Sequence, residues 1–443
     1  MNDDGRAHID RPKVLVVSAV WPHSTGMVQA AEMAAYEITH RLVQENCDVA
    51  YALVSQASLG PSESAHKDVR FLESVGVHFL PPVKLDPFPP AVSGRRFWAG
   101  VLGGERRMLL RGWGQHEKLA AALQTVEPWK PDVVVPVWSY EATYCAAGLG
   151  IPLCLFHGNP DHKVSKAWYS VAWRWERSWS PDWLLRYGLG CISVSQLERV
   201  HLKELRKFPV IWENAKNDYD YYRERSFTSV RYLRNMWPAP DDDECLARRD
   251  AQEQVKPLKI CGNLGHLGAT ANTFGLWALC DEIVPAFKKR LGAGQFEVHV
   301  YGRTQPRAFL TEWLKDSDIK LRGFVDDIET ELLSSPIFLL ANNRHDFKVG
   351  HTRILTAFAT GACVVAFRDT ALSMPELVHG ENILLGNDGE EIADLIVRAG
   401  SDRELRRRIG RNALRTLREL FSPEKAVAAM ASDIRQVLKV PTG

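Results

Sequence analysis

Short, unbroken apolar runs recur along this chain, and they limit its fold more than any other feature. In the first half they are VLVVSAV from Val14, DVAYALV from Asp48, DVVVPVW from Asp132, PLCLFH from Pro152, CISVS from Cys191 and PVIWEN from Pro209. The second half repeats the pattern with LKICGN from Leu258, FEVHVYGR from Phe296, IKLRGFV from Ile319, IFLLANN from Ile337 and ACVVAF from Ala362. A strand with one wet face alternates apolar and polar residues. Runs without alternation are covered on both faces, as happens when crossover helices pack on each side of a parallel sheet. The expectation is an α/β protein of two doubly wound, Rossmann-like domains. Open sheets of this kind bind ligands at the carboxyl ends of their strands.

A chain of 443 residues also exceeds what one hydrophobic core supports. The expected division is 1–216, an interdomain segment 217–256, a second domain 257–421, and a terminal helix within 422–443. Segment 217–256 is rich in charge and tyrosine, contains PAPDDDE and keeps no sustained period, whereas Ser422 to Leu438 has helical spacing. A net charge of +1 supplies no overall field to recruit nucleic acid. Eight cysteines without a C-x-x-C pair argue against a zinc module or a disulfide framework. Cys154, Cys191, Cys261 and Cys363 lie in apolar runs and are expected to be buried thiols in a reducing cytoplasm. The first apolar run, Val14 to Val20, is too short for the centre of a signal peptide. No stretch has the ~18 consecutive apolar residues of a membrane span, which predicts a soluble or peripherally bound protein.

The stretch from Lys348 to Leu385 reads as loop, short helix from about Thr352 to Thr360, buried strand, polar loop and strand. Gly350 precedes that helix and Gly361 ends it, so its N-terminus opens into a loop that can approach a ligand. Free N–H groups and the positive end of the dipole favour a phosphate there, with Lys348, His351 and Arg353 as further donors. Upstream, CGNLGHLGATAN puts Gly262, Gly265 and Gly268 in a strand-to-helix loop. Its spacing is G-x-x-G-x-x-G, and the next strand ends in Gly302 and Arg303 rather than an acidic ribose partner. Both facts disfavour an NAD-dependent oxidoreductase. Phe324 and Val325 follow a strand, with Asp326 or Asp327 placed to cap the next helix. Asp241 to Asp243 and Asp316 to Asp318 read as solvated charge, so no metal site is expected.

The run RILTAFATGACVVAF followed by MPELVHGENILL, together with GNLGHLGATANTFGLWALCDEIVPAF, VYGR, GFVDD and LLANN, resembles the C-terminal domain of retaining GT-B glycosyltransferases of family four (group 1). The resemblance implies two Rossmann-like domains facing across a cleft. The first would be on the acceptor side, the second would bind a nucleotide sugar, and the terminal helix would return to the first. It further implies metal-independent sugar transfer, with retention, from a nucleotide-diphosphate sugar to a glycan, lipid-linked or small-molecule acceptor in polysaccharide biosynthesis, without a cofactor. On this resemblance the donor contacts are Gly262, Asn263, Gly265, Gly302, Phe324, Val325, Gly350, His351, Thr352, Thr356 and Glu376. Catalytic contacts are His157, Arg303, Lys348 and Arg353, and the acceptor-side loop carries Trp21 and Gly26. The chain departs from the family at four positions. Lys348 and Thr356 stand where the family has two glutamates, and Asn263 and Gly268 where it has an arginine and a lysine on the diphosphate. Arg303, Arg344, Lys348 and Arg353 are the substitute cations. These departures motivate an alternative, a catalytically silent relative that binds a nucleotide sugar or glycan as a partner protein.

Arg95 to Trp113 and Trp168 to Arg186 interleave arginine with tryptophan. Exposed, such a pattern suits an anionic membrane surface, a sugar stacked on indole or single-stranded nucleic acid. Buried, its tryptophans would be the core of inserted helices. With the transferase resemblance, an acceptor or lipid-surface role leads, nucleic acid is not an expected partner, and the expected location is the cytoplasm or the inner face of the membrane.

Overall fold

The computed structural model describes residues 11–24, 30–55, 60, 62–86, 115–126, 129–253, 256–262, 264–325, 327–343, 348, 350 and 352–439. Two parallel sheets organise them. The first contains β1 (Lys13–Ser18), β2 (Asp48–Ser55), β3 (His78–Phe79), β4 (Val83–Lys84), β5 (Val133–Val137), β6 (Cys154–His157), β7 (Val210–Glu213) and β8 (Val230–Tyr232). Their order is β3-β2-β1-β5-β6-β7-β8, with β4 beside the end of β2. The second sheet contains β9 (Leu258–Gly262), β10 (Phe296–Tyr301), β11 (Ile319–Gly323), β12 (Ile337–Leu340), β13 (Cys363–Phe367) and β14 (Leu384–Gly386), ordered β11-β10-β9-β12-β13-β14.

The unbroken runs are explained by where successive side chains go. In β1, Val14 and Val16 enter one core while Leu15 and Val17 enter another on the opposite face. In β9, Ile260 and Cys261 divide in the same way. Both faces are dry, so no polar alternation is possible. Each sheet also reverses its strand order once, between β1 and β5 and between β9 and β12. At such a switch point adjacent loops part in opposite directions and leave a crevice at the carboxyl ends of the strands.

Two expectations change. CISVS from Cys191 is not a strand but part of the 25-residue helix Pro181–Leu205. Ser180 caps that helix by accepting from the Trp183 N–H at 3.3 Å, Pro181 occupies its first turn, and Ile192 is exposed. Segment 217–256 is divided between the lobes. The helix Lys216–Glu224 and β8 join the first, burying Tyr222 completely, while the helix Asp242–Gln252 joins the second. Buried Arg249 pins the latter by donating to the carbonyls of Thr360 at 2.6 Å, Ser335 at 2.8 Å and Leu332 at 2.9 Å. Within the Trp/Arg-rich stretch, Trp175 packs between the lobes, its ring 5.3 to 5.6 Å from Phe309, Trp277 and Phe274. Trp168, Trp173 and Trp179 are exposed, and the earlier part of that pattern, Arg95 to Trp113, lies outside the described residues.

The terminal helix Pro423–Lys439 returns to the first lobe, where Val427, Met430, Ala431 and Ile434 share a core with Val14 and Ala35. Among the described residues the cysteines are free thiols, and no helix is long and apolar enough to cross a membrane.

Candidate active site between the two sheets

A cavity of about 440 Å³ opens where the two crevices face each other. Its first-lobe wall is built from the loops after β5, β6 and β7, and its second-lobe wall from the loops after β9 and β12.

The first-lobe wall is unusually fixed. Trp138, directly after β5, holds φ at +46°, a left-handed conformation that is strained for a bulky residue and concentrates at functional sites. Its indole stacks on Phe156 at 5.6 Å, and its N–H is buried without a hydrogen-bond partner. Ser139 caps the next helix, Tyr140–Ala147, by accepting from the Ala142 N–H at 3.1 Å. His157, at the end of β6, is 3% exposed and Glu213, at the end of β7, is fully buried, and the His157 Nδ1 meets the Glu213 Oε1. Burial pushes the His157 imidazole down to about 4 and the Glu213 carboxyl well above its ordinary range, so both favour the neutral form. The contact is then a carboxyl O–H donated to Nδ1. The opposite Nε2–H donates to the Tyr140 hydroxyl at 2.7 Å. That hydroxyl also accepts from the Asp161 N–H at 2.7 Å and donates to the Asn159 carbonyl at 3.3 Å. One proton-ordered chain thus locks the loop from His157 to Asp161.

The second-lobe wall is polar and cationic. The N-terminus of the helix Thr270–Ala278 lines the cavity through Thr270 and Ala271, and its N-cap residue, Ala269, offers no side-chain acceptor. Those first N–H groups and the dipole favour an anion. Beside them is Arg353, from the helix Thr352–Phe358, its guanidinium pushed down to about 10 by burial. Asn272 holds it: Oδ1 accepts from the Arg353 Nη1 and from the Asn342 Nδ2 at 2.7 Å, and Nδ2 donates to the His266 carbonyl at 2.7 Å. Gly265 needs its glycine twice, for a φ of +105° and because a Cβ would lie 3.2 Å from the Arg353 Nη2.

Of the residues singled out from sequence, His157, Gly350, Thr352 and Arg353 line this cavity together. Gly265 lies against Arg353, and Gly302 leaves room for the Gly265 carbonyl, which a Cβ would meet at 2.2 Å. The others are placed elsewhere. The absent Cβ of Gly262 faces Val298 inside the sheet. Thr356 donates to the Thr352 carbonyl at 3.3 Å, and Val325 packs on the core. Exposed Arg303 stacks on the Phe324 ring at 4.3 Å, away from the cavity lining. Lys348 lines a second cavity, its Nζ 3.5 Å from Asp369. Both Glu376 oxygens are taken from across the lobes, by the Tyr232 hydroxyl at 3.1 Å and the Arg234 Nε at 2.6 Å. Trp21 packs 6.2 Å from Phe79. Gly350 approaches the other lobe rather than open space, since a Cβ would lie 3.3 Å from the Asn214 carbonyl. Asn263, His351, Gly26 and Arg344 lie outside the described residues.

Sequence reasoning missed Trp138, Tyr140, Glu213 and Asn272. Asn272 left one trace, an amide inside the otherwise apolar run ANTFGLWALC. Among the described residues, no group of three or more His, Cys, Asp or Glu side chains is arranged to hold a metal ion.

No curated protein matches the chain by sequence. Solved structures do. Sucrose-phosphate synthase from Thermosynechococcus elongatus superposes with a TM-score of 0.62 at 14% identity, over 96% of this chain and 99% of that one. HepE of Anabaena, in complex with UDP and glucose, gives 0.58 at 14% identity over 97% and 100%. The trehalose 6-phosphate synthase of Burkholderia multivorans gives 0.58 at 14% identity over 96% and 99%. Residues 259–402 match the family model described as Glycosyl transferases group 1. The chain therefore has the GT-B fold, and its second lobe carries a group 1 glycosyl transferase domain.

Proposed function

We propose that the chain transfers a sugar from a nucleotide-diphosphate sugar to an acceptor, with retention at the anomeric carbon and without a metal. One observation carries this reading. Arg353 and the N-terminus of the helix Thr270–Ala278 converge at the switch point of the second sheet and face the fixed His157 to Asp161 loop across one cavity. The first pair would hold the diphosphate and stabilise the charge that grows on it as the anomeric C–O bond breaks. The loop would align the incoming hydroxyl. HepE, a protein of the same fold, is seen with UDP and glucose, which supports a nucleotide sugar as the ligand. His157 then acts as a positioning residue, because both of its nitrogens are already engaged.

The acceptor is a glycan, a lipid-linked sugar or a small molecule. A peripheral membrane contact is part of the proposal. Its support is the pair of exposed tryptophans Trp173 and Trp179, with the Arg177 guanidinium 5.1 and 4.4 Å from their rings.

The test is a thermal-shift screen against UDP-, GDP-, dTDP- and ADP-sugars, followed by turnover assays with the ligand that stabilises the protein. Arg353→Ala should lower turnover on the order of a hundredfold, the usual effect of removing one charge-stabilising donor. Wild-type turnover in that variant would overturn the assignment. Binding of a nucleotide sugar without product on any acceptor would favour a silent binding relative.

A further inference from the structure

The half-buried indole of Trp138 lines the first cavity, and its surroundings leave it available to a ligand. Phe156, fully buried, backs the ring, with centroids 5.6 Å apart and planes 28° apart. Gly158 lines the cavity beside it. The Gly158 backbone is not left-handed, and a Cβ there would lie 3.5 Å from the Trp138 Cγ, an ordinary contact. Neither conformation nor crowding therefore requires glycine at that position. Its effect is to leave part of the indole uncovered. The φ of +46° at Trp138 fits the same use, because a bulky residue keeps a left-handed backbone only where its surroundings over-determine it, and such residues gather at ligand sites.

A second observation points to a ligand independently of the ring. Asn214, directly after β7, lines the same cavity and is 6% exposed, yet neither its Oδ1 nor its Nδ2 has a hydrogen-bond partner among the described residues. Buried amides are almost always satisfied, and this one offers both an acceptor and donors. Adjacent hydroxyls of a sugar meet both needs, one donating to Oδ1 and the next accepting from Nδ2. Charge narrows the class further. None of the described residues that line the cavity from the first lobe is lysine or arginine, and Asp161 is among them. An anionic group against this wall would face a carboxylate and no cation of that lobe.

We infer that the first-lobe half of the cavity holds an uncharged pyranose, one face stacked on Trp138 and its hydroxyls hydrogen-bonded to Asn214. The C–H groups on one face of a pyranose carry slight positive charge and meet the negative face of the indole, while the hydroxyls at the rim find polar partners. The inference deepens the transferase reading and rests on it for the word acceptor. It selects an acceptor that presents a neutral sugar, a glycan or a lipid-linked glycan, over one that presents a phosphorylated sugar or a chain without a ring. The sugar site itself does not depend on that reading.

Saturation-transfer NMR titrations of the full chain test the idea with the methyl pyranosides of glucose, galactose, mannose and N-acetylglucosamine, with open-chain glucitol and glucose 6-phosphate as controls. The variants are Trp138→Phe, Trp138→Leu and Gly158→Ala, with folding read separately from the thermal transition. Gly158→Ala adds one methyl group at ordinary contact distance, so it stays folded even if Trp138→Leu does not. At least one methyl pyranoside should bind about tenfold or more tightly than glucitol, and glucose 6-phosphate should bind no better than methyl glucoside. Trp138→Leu and Gly158→Ala should each weaken the pyranoside about tenfold, and Trp138→Phe, which keeps an aromatic face, by about threefold or less. Absence of pyranoside binding, affinity equal to that for glucitol, tighter binding of the sugar phosphate, or indifference to Gly158→Ala would overturn the site. Pyranoside binding with the expected pattern, but no binding of any nucleotide sugar, would retain the site and sink the transferase reading instead.

Discussion

Asn272 shows how much of the candidate site depends on one uncharged side chain. Its carbonyl oxygen accepts from Arg353 and Asn342 while its amide donates to the His266 carbonyl, and none of its surface is exposed. Two substitutions separate holding the guanidinium from leaving its charge unneutralised. Asn272→Leu keeps the volume but strands buried donors, each costing about 1–3 kcal/mol. It should lower Tm and turnover together. Asn272→Asp keeps both acceptor contacts but places a carboxylate on the guanidinium, offsetting the charge offered to a diphosphate. That variant should stay folded and lose at least about tenfold in kcat/KM. Wild-type kcat/KM in a folded Asn272→Asp protein would show that the Arg353 charge is not used.

The loop from His157 to Asp161 depends on three elements, β6, β7 and the helix Tyr140–Ala147, and its protonation has a thermodynamic signature. Burial depresses His157 and His162 to about 4 and holds His201 well below its ordinary range, and it raises Asp218 to about 6 and Glu213 well above its usual range. Between about pH 6 and 4.5, unfolding lets the three histidines take up protons and the two carboxyls release them. Three protons taken up against two released make this cluster's contribution to stability fall on acidification, by the order of 1 kcal/mol per pH unit. Glu213→Gln keeps a donor toward the His157 Nδ1 but removes a native-state proton. It should be tolerated at pH 7 and steepen the fall of Tm between pH 6 and 4.5 relative to wild type. An unchanged slope would mean that Glu213 is ionised in the folded protein.

The longer strands of both sheets were legible because two-sided burial erases polar alternation, whereas the two- and three-residue strands β3, β4 and β8 carry too few residues to show a pattern. CISVS was misread because a run of five residues carries no period long enough to separate strand from helix, and the decisive signal, Ser180-Pro181, lies ten residues upstream. Arg353 and the Gly265 loop were legible in part, since a glycine-bearing loop before a helix has few local uses. Glu213 and Tyr140 were not. What makes them matter is a pairing between residues 56 and 17 positions from His157, set by strand order alone.

For the whole molecule, the cavities exist only while the lobes stay in register, and the contacts among the described residues that keep them so are of different kinds. Glu376 receives Tyr232 and Arg234, Gly350 lies against the Asn214 carbonyl, and the Trp212 Nε1 donates to Asp433 on the returning helix at 2.8 Å. An apolar contact between the lobes centres on Trp175, whose ring packs on Phe309, Trp277 and Phe274 while Ala167 and Val171 of the same helix share a cluster with Phe274. This helix also begins at Asp161, inside the locked loop, so a tilt of one lobe would reach both cavities through it. Trp175→Ala removes that wedge at a cost of roughly 2–3 kcal/mol, below a fully buried tryptophan because the ring is half-exposed. Each sheet keeps its own two-faced core, so the variant should retain strand content and, on the proposed reading that the second lobe holds the donor, nucleotide-sugar affinity. Turnover needs both walls and should fall at least tenfold, with the thermal transition broadening or splitting in calorimetry. A Trp175→Ala protein with intact kcat/KM and one sharp transition would mean that the other contacts hold the lobes together without this one.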